Sequence, residues 1–323
     1  VYDITKALLY MREAAEADIF VAKAGVAKLY LREDAYNPKL AYEQLHRVLA
    51  EFQTKELCND LSKSELRQRA SIYEILGDLH KDKNCIYYDC EKSVEYYNKA
   101  LVDNQDAVTA RLSMAKIYSD VQNQENGHYN LSFAMKQLQL LETLNNKDID
   151  RNYDRIQMAI SHIYADKNYE GCDYGKALSA LDKIQSDEKG FIDLQRGNIY
   201  AVENSPYYDM KKAVACYTSA AQKNNTNAMV KLAKCYLYGL GVDRDKEAAK
   251  LWLQEADRQG DEYAREYLKN IDRTSYNPIT YTLVKQLLNS LAQSKDKKVQ
   301  QLREQEFKSQ SKQAKKEQYL HRN

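Results

Sequence analysis

Two short patterns alternate along most of this chain, and together they restrict its fold more than any other feature. The first is an aliphatic residue or cysteine followed by an aromatic or imidazole ring, found at Leu29-Tyr30, Leu79-His80, Ile117-Tyr118, Ile163-Tyr164, Ile199-Tyr200 and Cys235-Tyr236. The second is a small residue with a large apolar or aromatic residue four positions later, found at Ala7/Met11, Ala41/Leu45, Ser93/Tyr97, Ala134/Leu138, Ala177/Leu181, Ala213/Tyr217 and Ala248/Trp252. Their alternation predicts stacked helix pairs, each with a first helix and a second helix.

The stretch from Ala228 to Lys269 shows both patterns most clearly. Its apolar residues recur at steps of three and four, which places them on one face of a helix. These residues are Met229, Leu232, Ala233, Tyr236 and Leu237. Gly239 and Gly241 then interrupt the pattern, because glycine reaches positive φ at little steric cost. A second apolar face follows, in which Trp252 is predicted to fill the space between helix pairs.

Many residues of this stretch match a known repeat at fixed positions. They are Leu232, Ala233 (where the repeat prefers glycine), Tyr236, Gly239, Gly241, Val242, Asp245, Ala248, Trp252, Ala256, Gly260, Ala264 and Leu268. At these positions the segment resembles a Sel-one-like repeat, a member of the tetratricopeptide-like helical superfamily. The resemblance covers one repeat in full and the rest of the chain more weakly. It implies an all-α fold, namely an α/α solenoid (superhelix) of stacked antiparallel helix pairs.

The patterns divide the chain into three predicted regions. Residues 1–270 are predicted to form a tetratricopeptide/Sel-one-like repeat solenoid of about six helix pairs, preceded by an N-terminal half repeat. Residues 271–293 are predicted to form a capping helix, since Pro278 can start a helix and an apolar segment follows it. Residues 294–323 are predicted to form a tail that is partly helical or disordered. Because the array starts in mid-repeat, we expect an apolar edge that a removed cap or a binding partner would cover.

Tyrosine is unusually common, with 27 tyrosines against 5 phenylalanines. A tyrosine packs its ring between helices while its hydroxyl stays at a wet edge, which suits a thin solenoid. Tyrosine is also enriched among the hot spots of protein interfaces. Six tyrosines do not all fit the core period and are candidate protein contacts, with ordinary packing as the alternative for each. They are Tyr73, Tyr87, Tyr88, Tyr207, Tyr208 and Tyr263.

The charge of the chain is nearly balanced, with 48 basic and 47 acidic residues, so the chain as a whole lacks the basic excess of a nucleic-acid-binding protein. The Gln/Lys-rich tail is the exception, because residues 294–323 contain 9 lysines and arginines against 4 acids. It is interpreted as a solvated tail, as a contact for nucleic acid or an acidic partner, or as a helix that another chain completes. Its candidate contacts are Lys295, Lys297, Lys298, Arg303, Lys308, Lys312, Lys315 and Lys316.

The sequence contains no recognisable catalytic, cofactor or metal motif. The five histidines lack HExxH spacing, and four residues rather than two separate Cys85 from Cys90. Gly239 and Gly241 join two helices and lack the strand and the lysine of a phosphate loop. We therefore expect a protein that is not an enzyme and that has no cofactor and no metal site.

The compartment follows only weakly from the sequence. No stretch is apolar for long enough to span a bilayer, and residues 1–30 lack the layout of a signal peptide. The six cysteines are scattered, which slightly favours a reducing, cytoplasmic compartment. Because the chain begins with Val1, a periplasmic or membrane-associated location stays open if a leader was removed.

Three functions are compatible with these patterns. The leading hypothesis is a scaffold or adaptor that holds one or more partner proteins or peptides on a concave face lined by the first helices. The resemblance implies the same, since Sel-one-like repeat proteins commonly act as adaptors in membrane-associated complexes, bacterial secretion, exopolysaccharide assembly and host interaction. The alternatives are a nucleic-acid-associated accessory protein, for example in plasmid mobilisation, that uses the tail, and a regulatory array whose catalytic part precedes Val1.

Overall fold

The computed structural model describes residues 4–16, 20–57, 61–144 and 147–270, and in these ranges the chain is helical with connecting turns. Fourteen α-helices, two short 3-10 helices (Glu33–Ala35 and Val121–Asn123) and no strand occur there. The α-helices are α1 (Ile4–Glu16), α2 (Phe20–Tyr30), α3 (Pro38–Leu57), α4 (Lys63–Lys81), α5 (Cys90–Asp103), α6 (Val108–Ser119), α7 (Leu131–Glu142), α8 (Lys147–Ala165), α9 (Tyr174–Asp182), α10 (Phe191–Tyr200), α11 (Met210–Gln222), α12 (Thr226–Tyr238), α13 (Lys246–Arg258) and α14 (Glu262–Asn270). The predicted all-α solenoid of helix pairs is confirmed.

The chain forms two compact units, residues 1–172 and residues 173–323. In unit 1, α1 packs on α2, and three pairs follow before α8: α2 with α3, α4 with α5, and α6 with α7. In unit 2, α9 packs on α10, and the pairs α10 with α11 and α12 with α13 precede α14. The first helices are therefore α2, α4, α6 and α8 in unit 1, and α10, α12 and α14 in unit 2. The predicted capping helix at 271–293 and the predicted tail at 294–323 lie outside the described residues.

A hydrogen bond joins the ring residue of the first pattern to the start of the next helix. The His80 carbonyl accepts from the Asp89 N–H at 2.8 Å in unit 1, and the Tyr236 carbonyl accepts from the Asp245 N–H at 2.8 Å in unit 2. The same bond joins Asn37 to Tyr30, Asn130 to Tyr118 and Asp209 to Tyr200. The side chains of Asp89, Asn130, Asp209 and Asp245 also cap their second helices. One residue thus closes the turn and satisfies a free N–H of the helix, which is a physical reason for the repeated spacing.

Two glycines on first helices let a tyrosine ring from the second helix pack directly against the backbone. A Cβ atom on Gly77 would lie 2.5 Å from the Tyr97 ring, and one on Gly197 would lie 2.5 Å from the Tyr217 ring. Both tyrosines are buried. At such a distance any larger residue forces the ring or the helix to move. Units 1 and 2 therefore share this close packing of glycine and tyrosine.

Trp252 is the largest fully buried side chain of unit 2. It belongs to a buried cluster that also contains small residues of α11, α12 and α13, among them Ala220, Ala228, Ala233, Ala248, Ala249 and Ala256. The turn before α13 contains Gly239 and Gly241, whose φ angles are +69° and +73°. A Cβ atom on Gly241 would also lie 2.4 Å from the Met210 carbonyl oxygen, so this position requires glycine for space as well as for conformation. The predicted turn and the predicted burial of Trp252 are both confirmed.

Candidate interaction surfaces

The first helices of unit 1 lie next to one another, with α2 beside α4, α4 beside α6, and α6 beside α8. On the side that does not pack on second helices, their exposed side chains form a surface shared by several repeats, which we call the first-helix face. In unit 2, side chains of α12 and α14 contact each other on the corresponding surface. Residues distant in sequence meet on this face because repeats stack on their neighbours.

Three tyrosines and a lysine form a cluster in unit 2 that we call the tyrosine patch: Lys234 and Tyr238 of α12, and Tyr263 and Tyr267 of α14. The hydroxyl oxygens of Tyr238 and Tyr267 share a hydrogen bond of 2.7 Å, and the ring centres of Tyr263 and Tyr267 lie 5.5 Å apart. The Nζ atom of Lys234 lies 4.8 Å from the centre of the Tyr263 ring and 5.7 Å from that of Tyr267. Tyr238 is 60% exposed and Tyr263 is 51% exposed. The patch thus offers aromatic surface to solvent.

Positive charge accompanies the rings of the tyrosine patch. The hydrogen bond with Tyr238, together with burial, raises the pKa of Tyr267 to about 12, so this hydroxyl stays protonated at neutral pH. The ammonium group of Lys234 is attracted by the negative faces of the rings beneath it. Lys231 is exposed to water, but the surrounding protein desolvates its ammonium group and lowers its pKa, and Lys234 adds to this effect. The patch is therefore suited to bind an apolar or aromatic side chain of a partner that has a negatively charged group beside it.

Two cations and a histidine form a second cluster, on the first-helix face of unit 1, which we call the basic cluster: Lys116 of α6, and Arg155 and His162 of α8. All three side chains are exposed. Arg155 donates a hydrogen bond of 2.7 Å to the amide oxygen of Asn152. Across the described part of unit 1, none of the three forms an ion pair with a carboxylate. The cluster therefore presents uncompensated positive charge.

Asp78 links α4 to the second helix α5 and stands beside the basic cluster. Its Oδ1 atom accepts hydrogen bonds from the Tyr97 hydroxyl at 2.8 Å and from Lys81 Nζ at 2.6 Å. Lys81 Nζ also donates to the Ser113 hydroxyl of α6 at 3.1 Å. In unit 2 the hydroxyl of Tyr217 instead donates to the neutral side chain of Asn198 at 3.2 Å. The charge of Asp78 is thus already matched by Lys81.

Glu74 is a carboxyl group on α4 whose role sequence reasoning missed. Its Oε1 atom accepts a hydrogen bond of 2.9 Å from the backbone N–H of Ala110, in the first turn of α6. The N-cap residue of α6 is Ala107, which has no side-chain acceptor, so Glu74 supplies the missing cap from the neighbouring repeat. Burial raises the pKa of Glu74 to about 7, although the bond from Ala110 favours the charged form.

The predicted contact tyrosines of unit 1 lie in different environments. Tyr73 is half-buried on α4, with its ring centre 6.2 Å from that of Tyr96. Tyr87 is half-buried in the turn before α5 and stacks on Tyr42 of α3 at 4.4 Å. Tyr88, beside it, is exposed. Tyr73 thus contributes ring packing within one helix pair and Tyr87 between neighbouring pairs, and their role as contacts stays a prediction.

The predicted contact tyrosines of unit 2 divide in the same way. Tyr207 and Tyr208 are exposed in the turn before α11, and a Cβ atom on Gly175 of α9 would lie 2.7 Å from the Tyr207 hydroxyl. Tyr263 alone of the six belongs to the tyrosine patch. The predicted tail contacts, from Lys295 to Lys316, lie outside the described residues.

Sequence reasoning missed most of the two clusters. Tyr238 lies two residues after the ring residue Tyr236, off the period of the buried face, and that offset was a usable signal of exposure. The basic cluster gave no such signal, since single cations on a helix are ordinary solvated residues.

Helices α1, α2 and α3 of unit 1 enclose an open cleft of about 460 Å³. Its lining residues are Arg12, Ala15, Lys23, Val26, Tyr30, Leu40, Glu43, Gln44, Arg47 and Glu51. Lys23 and Glu51 form an ion pair of 2.7 Å across it. The cleft thus carries charges of both signs.

Within the described ranges, no group of histidine, cysteine, aspartate and glutamate side chains could hold a metal ion. Cys85, Cys90, Cys172, Cys216 and Cys235 are free thiols. No helix among the described residues is long and apolar enough to cross a membrane.

A family model described as Sel1 repeat matches four stretches of the chain, residues 2–19, 77–101, 203–225 and 226–261. These stretches include α1, the pair formed by α12 and α13, and both tyrosines that pack against first-helix glycines. Among curated protein sequences, none matches the chain.

Two solved structures share the fold. One is c5321, a protective antigen present in uropathogenic Escherichia coli strains and displaying an SLR fold, with a TM-score of 0.53, 16% identity, and coverage of 87% of this chain and 55% of that chain. This chain therefore spans about half the length of that structure. The other is a Sel1 repeat protein from Oxalobacter formigenes, with a TM-score of 0.51, 18% identity, and coverage of 82% of this chain and 96% of that chain. The four matched stretches are thus similar to Sel1 repeats, and the two solved structures show that the chain shares the helical solenoid fold of Sel1-repeat proteins.

Proposed function

We propose that this protein is a non-catalytic scaffold or adaptor that holds a partner protein or peptide on its first-helix face. The proposed setting is a bacterial multi-protein assembly of the membrane-associated, secretion or exopolysaccharide kind. The observation that carries the proposal is the tyrosine patch, where Tyr238 and Tyr263 are more than half exposed although their helices are firmly packed.

Exposed tyrosines held in place by neighbouring helices are well suited to binding. Ordering a flexible side chain opposes association, and here the bond between Tyr238 and Tyr267 and the position of Lys234 over the rings have already limited that freedom. Tyrosine side chains combine a large apolar ring with a hydroxyl, and they dominate the energetics of many interfaces. The tyrosine patch is therefore the proposed anchor for a partner.

The test is affinity capture from native extract, with partners identified by mass spectrometry. The bait is the full chain, compared with Tyr238→Ala/Tyr263→Ala. We expect the partner to be recovered by the wild type and lost with the variant, because truncating a hot-spot tyrosine removes about 2 kcal/mol or more of binding energy. Phe191→Ala is the matched control, since Phe191 is an exposed aromatic residue at the other end of a first helix of unit 2.

Equal recovery of the same proteins by the wild type and by Tyr238→Ala/Tyr263→Ala would exclude the patch as the anchor. A bait that ends at Asn270 addresses the tail. If the intact chain captured only nucleic acid and the shortened bait captured nothing, the nucleic-acid accessory function would replace the scaffold. Circular dichroism of each bait verifies that its helices are intact.

A further inference from the structure

We propose that the basic cluster of unit 1 binds an acidic segment of a partner protein, a peptide in which aspartate and glutamate recur. This inference rests on the proposed scaffold function and names the chemistry of one part of its ligand. It concerns Lys116, Arg155 and His162, two exposed cations and an exposed histidine on the first-helix face.

The cluster is built by two neighbouring first helices. Arg155 and His162 are seven residues apart, which is close to two helical turns, so both lie on the same side of α8. Lys116 lies on α6, which packs beside α8. On the far side of α6, Lys81 of α4 continues the row through its hydrogen bond to Ser113. An extended peptide that lies across the first helices would therefore meet one cation after another.

The neighbouring acids Asp78 and Asp148 already have partners, whereas no side chain of the basic cluster forms an ion pair with a described carboxylate. Asp78 accepts hydrogen bonds from Lys81 and Tyr97. Asp148 at the start of α8 forms an ion pair of 3.5 Å with Arg151. Asp78 and Asp148 therefore do not compensate the positive charge of the basic cluster.

A further acid near the cluster, Glu74, accepts the N–H of Ala110, and burial raises its pKa to about 7. It therefore carries only part of a negative charge at neutral pH. It does not neutralise the basic cluster.

Although Lys116 and His162 are exposed, nearby protein atoms and charges disfavour their charged forms. Desolvation lowers the pKa of Lys116, and the nearby charges of Arg155 and Lys81 lower it further, against an opposing effect of Asp78. Desolvation likewise lowers the pKa of His162, with Lys116 as the second cause. A carboxylate bound among these side chains would relieve their mutual repulsion and replace lost solvation.

The surroundings favour a peptide over a nucleic acid. Asp78 on α4 and Asp148 on α8 lie near the cations, and a backbone of closely spaced phosphates would be repelled by both carboxylates. A peptide can place its carboxylates at the cations and neutral residues beside the acids. The tyrosine patch of unit 2 also offers lysine and aromatic groups, which is the chemistry of a protein ligand.

The direct test is fluorescence anisotropy with a short, fluorescein-labelled peptide rich in aspartate and glutamate, at neutral pH and low salt. Its asparagine and glutamine counterpart is the neutral control peptide. We expect the full-length protein to bind the acidic peptide, and Lys116→Glu/Arg155→Glu to weaken that binding about tenfold or more. Lys116→Gln/Arg155→Gln removes the charges without reversing them and should give an intermediate loss.

Arg47→Glu/Lys136→Glu is the matched control, because it makes the same change of net charge with two exposed residues on the second helices α3 and α7. Equal weakening by this control would mean that only net charge matters, and it would overturn the proposal. Absence of binding to the wild type, or binding that the cluster variants leave unchanged, would overturn it as well. Tighter binding of single-stranded DNA than of the acidic peptide, lost in the same variants, would replace the peptide by nucleic acid.

The outcome is separable from that of the scaffold proposal. If affinity capture depends on Tyr238 and Tyr263 while Lys116→Glu/Arg155→Glu affects neither the capture nor the peptide, the scaffold stands and the acidic ligand is wrong. If the acidic peptide binds at the basic cluster while Tyr238→Ala/Tyr263→Ala captures the same partners as the wild type, the tyrosine patch is not the anchor. The basic cluster is then still a binding site for acidic peptides.

Discussion

Unit 1 presents lysine, arginine and histidine on its first-helix face, whereas unit 2 presents three tyrosines and a lysine. Beneath these faces the two units share their construction. Gly77 faces Tyr97 in unit 1 as Gly197 faces Tyr217 in unit 2, at the same distance. The buried positions meet the same geometric demand in every repeat, so they recur, while the exposed positions are free to differ. Binding chemistry is therefore to be sought where the repeats disagree.

The two units differ in the residue that the buried tyrosine hydroxyl contacts. The hydroxyl of Tyr97 meets Asp78, and the hydroxyl of Tyr217 meets Asn198. The carboxylate of Asp78 attracts Lys81, whereas the amide of Asn198 carries no charge. Unit 1 thus has the charged pair Asp78 and Lys81 where unit 2 has the neutral amide of Asn198. This difference places charged groups on the first-helix face of unit 1.

The largest expected effect is specific to unit 1 and concerns Glu74. Its pKa is raised from 4.5 to about 7 in the folded protein, so between these values the folded chain keeps a proton that the unfolded chain has released. Stability therefore falls as pH rises through this window and is level above it. The difference corresponds to an upper limit of about 3 kcal/mol. Glu74→Gln abolishes this titration, so it should gain stability relative to the wild type as pH rises.

The measurement is urea unfolding of the wild type and of Glu74→Gln at mildly acidic and mildly alkaline pH. Groups common to both proteins cancel in the difference between the two unfolding free energies. A difference that does not change with pH would mean that Glu74 is ionised throughout and that the Ala110 N–H outweighs burial. Glu65→Gln is a useful comparison, since hydrogen bonds from Lys55 and Ser62 lower the pKa of that exposed carboxyl to about 2, and its titration lies below the window.

A second test asks whether the glycine and tyrosine packing is truly common to both units. We expect Gly77→Ala and Gly197→Ala each to destabilise the protein by about 2 kcal/mol, since the added methyl group overpacks a buried ring. At an exposed helical position the same change would stabilise by about 1 kcal/mol, so the sign itself is informative. Similar losses would support a shared construction, and a loss confined to one unit would break the comparison.

Each unit offers its own probe for this test. Trp252 is the single tryptophan of the chain and lies in the core of unit 2, so its fluorescence reports Gly197→Ala. Amide hydrogen exchange of α4 and α5 reports Gly77→Ala. Adding Tyr97→Leu to Gly77→Ala removes the ring that the new methyl group meets, and the double variant should lose less than the sum of the two single changes.

The fold could be predicted from the sequence because the buried positions repeat. A small residue on the second helix with a large apolar or aromatic residue four positions later, and a ring where the turn begins, are demands of helix packing that any stacked pair must meet. Trp252 and Gly241 were predictable for this reason. The assignment needed no knowledge of which repeats lie side by side.

The interaction surfaces could not be predicted in the same way, because they depend on distances between repeats. The bond between the Tyr238 and Tyr267 hydroxyls joins residues 29 positions apart, and that from Ala110 to Glu74 joins residues 36 apart. Neither separation follows the period of a helix, and although 36 is also the interval between Tyr164, Tyr200 and Tyr236, that interval does not indicate which side chains meet. Tyr263 was a candidate contact as one of six tyrosines that do not all fit the core period, and its neighbours in the tyrosine patch are evident only from the contacts between α14 and α12.

The smallest expected effect concerns the caps, which both units share. Asp89 Oδ1 accepts the N–H of Lys92 at 3.0 Å, and Asp245 Oδ1 accepts the N–H of Ala248 at 3.0 Å. Replacing either aspartate by alanine removes one acceptor and leaves the backbone bond that closes the turn, so we expect a loss of about 1 kcal/mol in each unit. Asparagine keeps an acceptor, and Asp89→Asn and Asp245→Asn should lose less than the alanine variants. Hydrogen exchange of the first turns of α5 and α13 gives both losses. If Asp245→Ala increased exchange in α13 while Asp89→Ala left α5 unchanged, the turn of unit 1 would depend on its backbone bond to His80 alone, and the caps would belong with the features that distinguish the units.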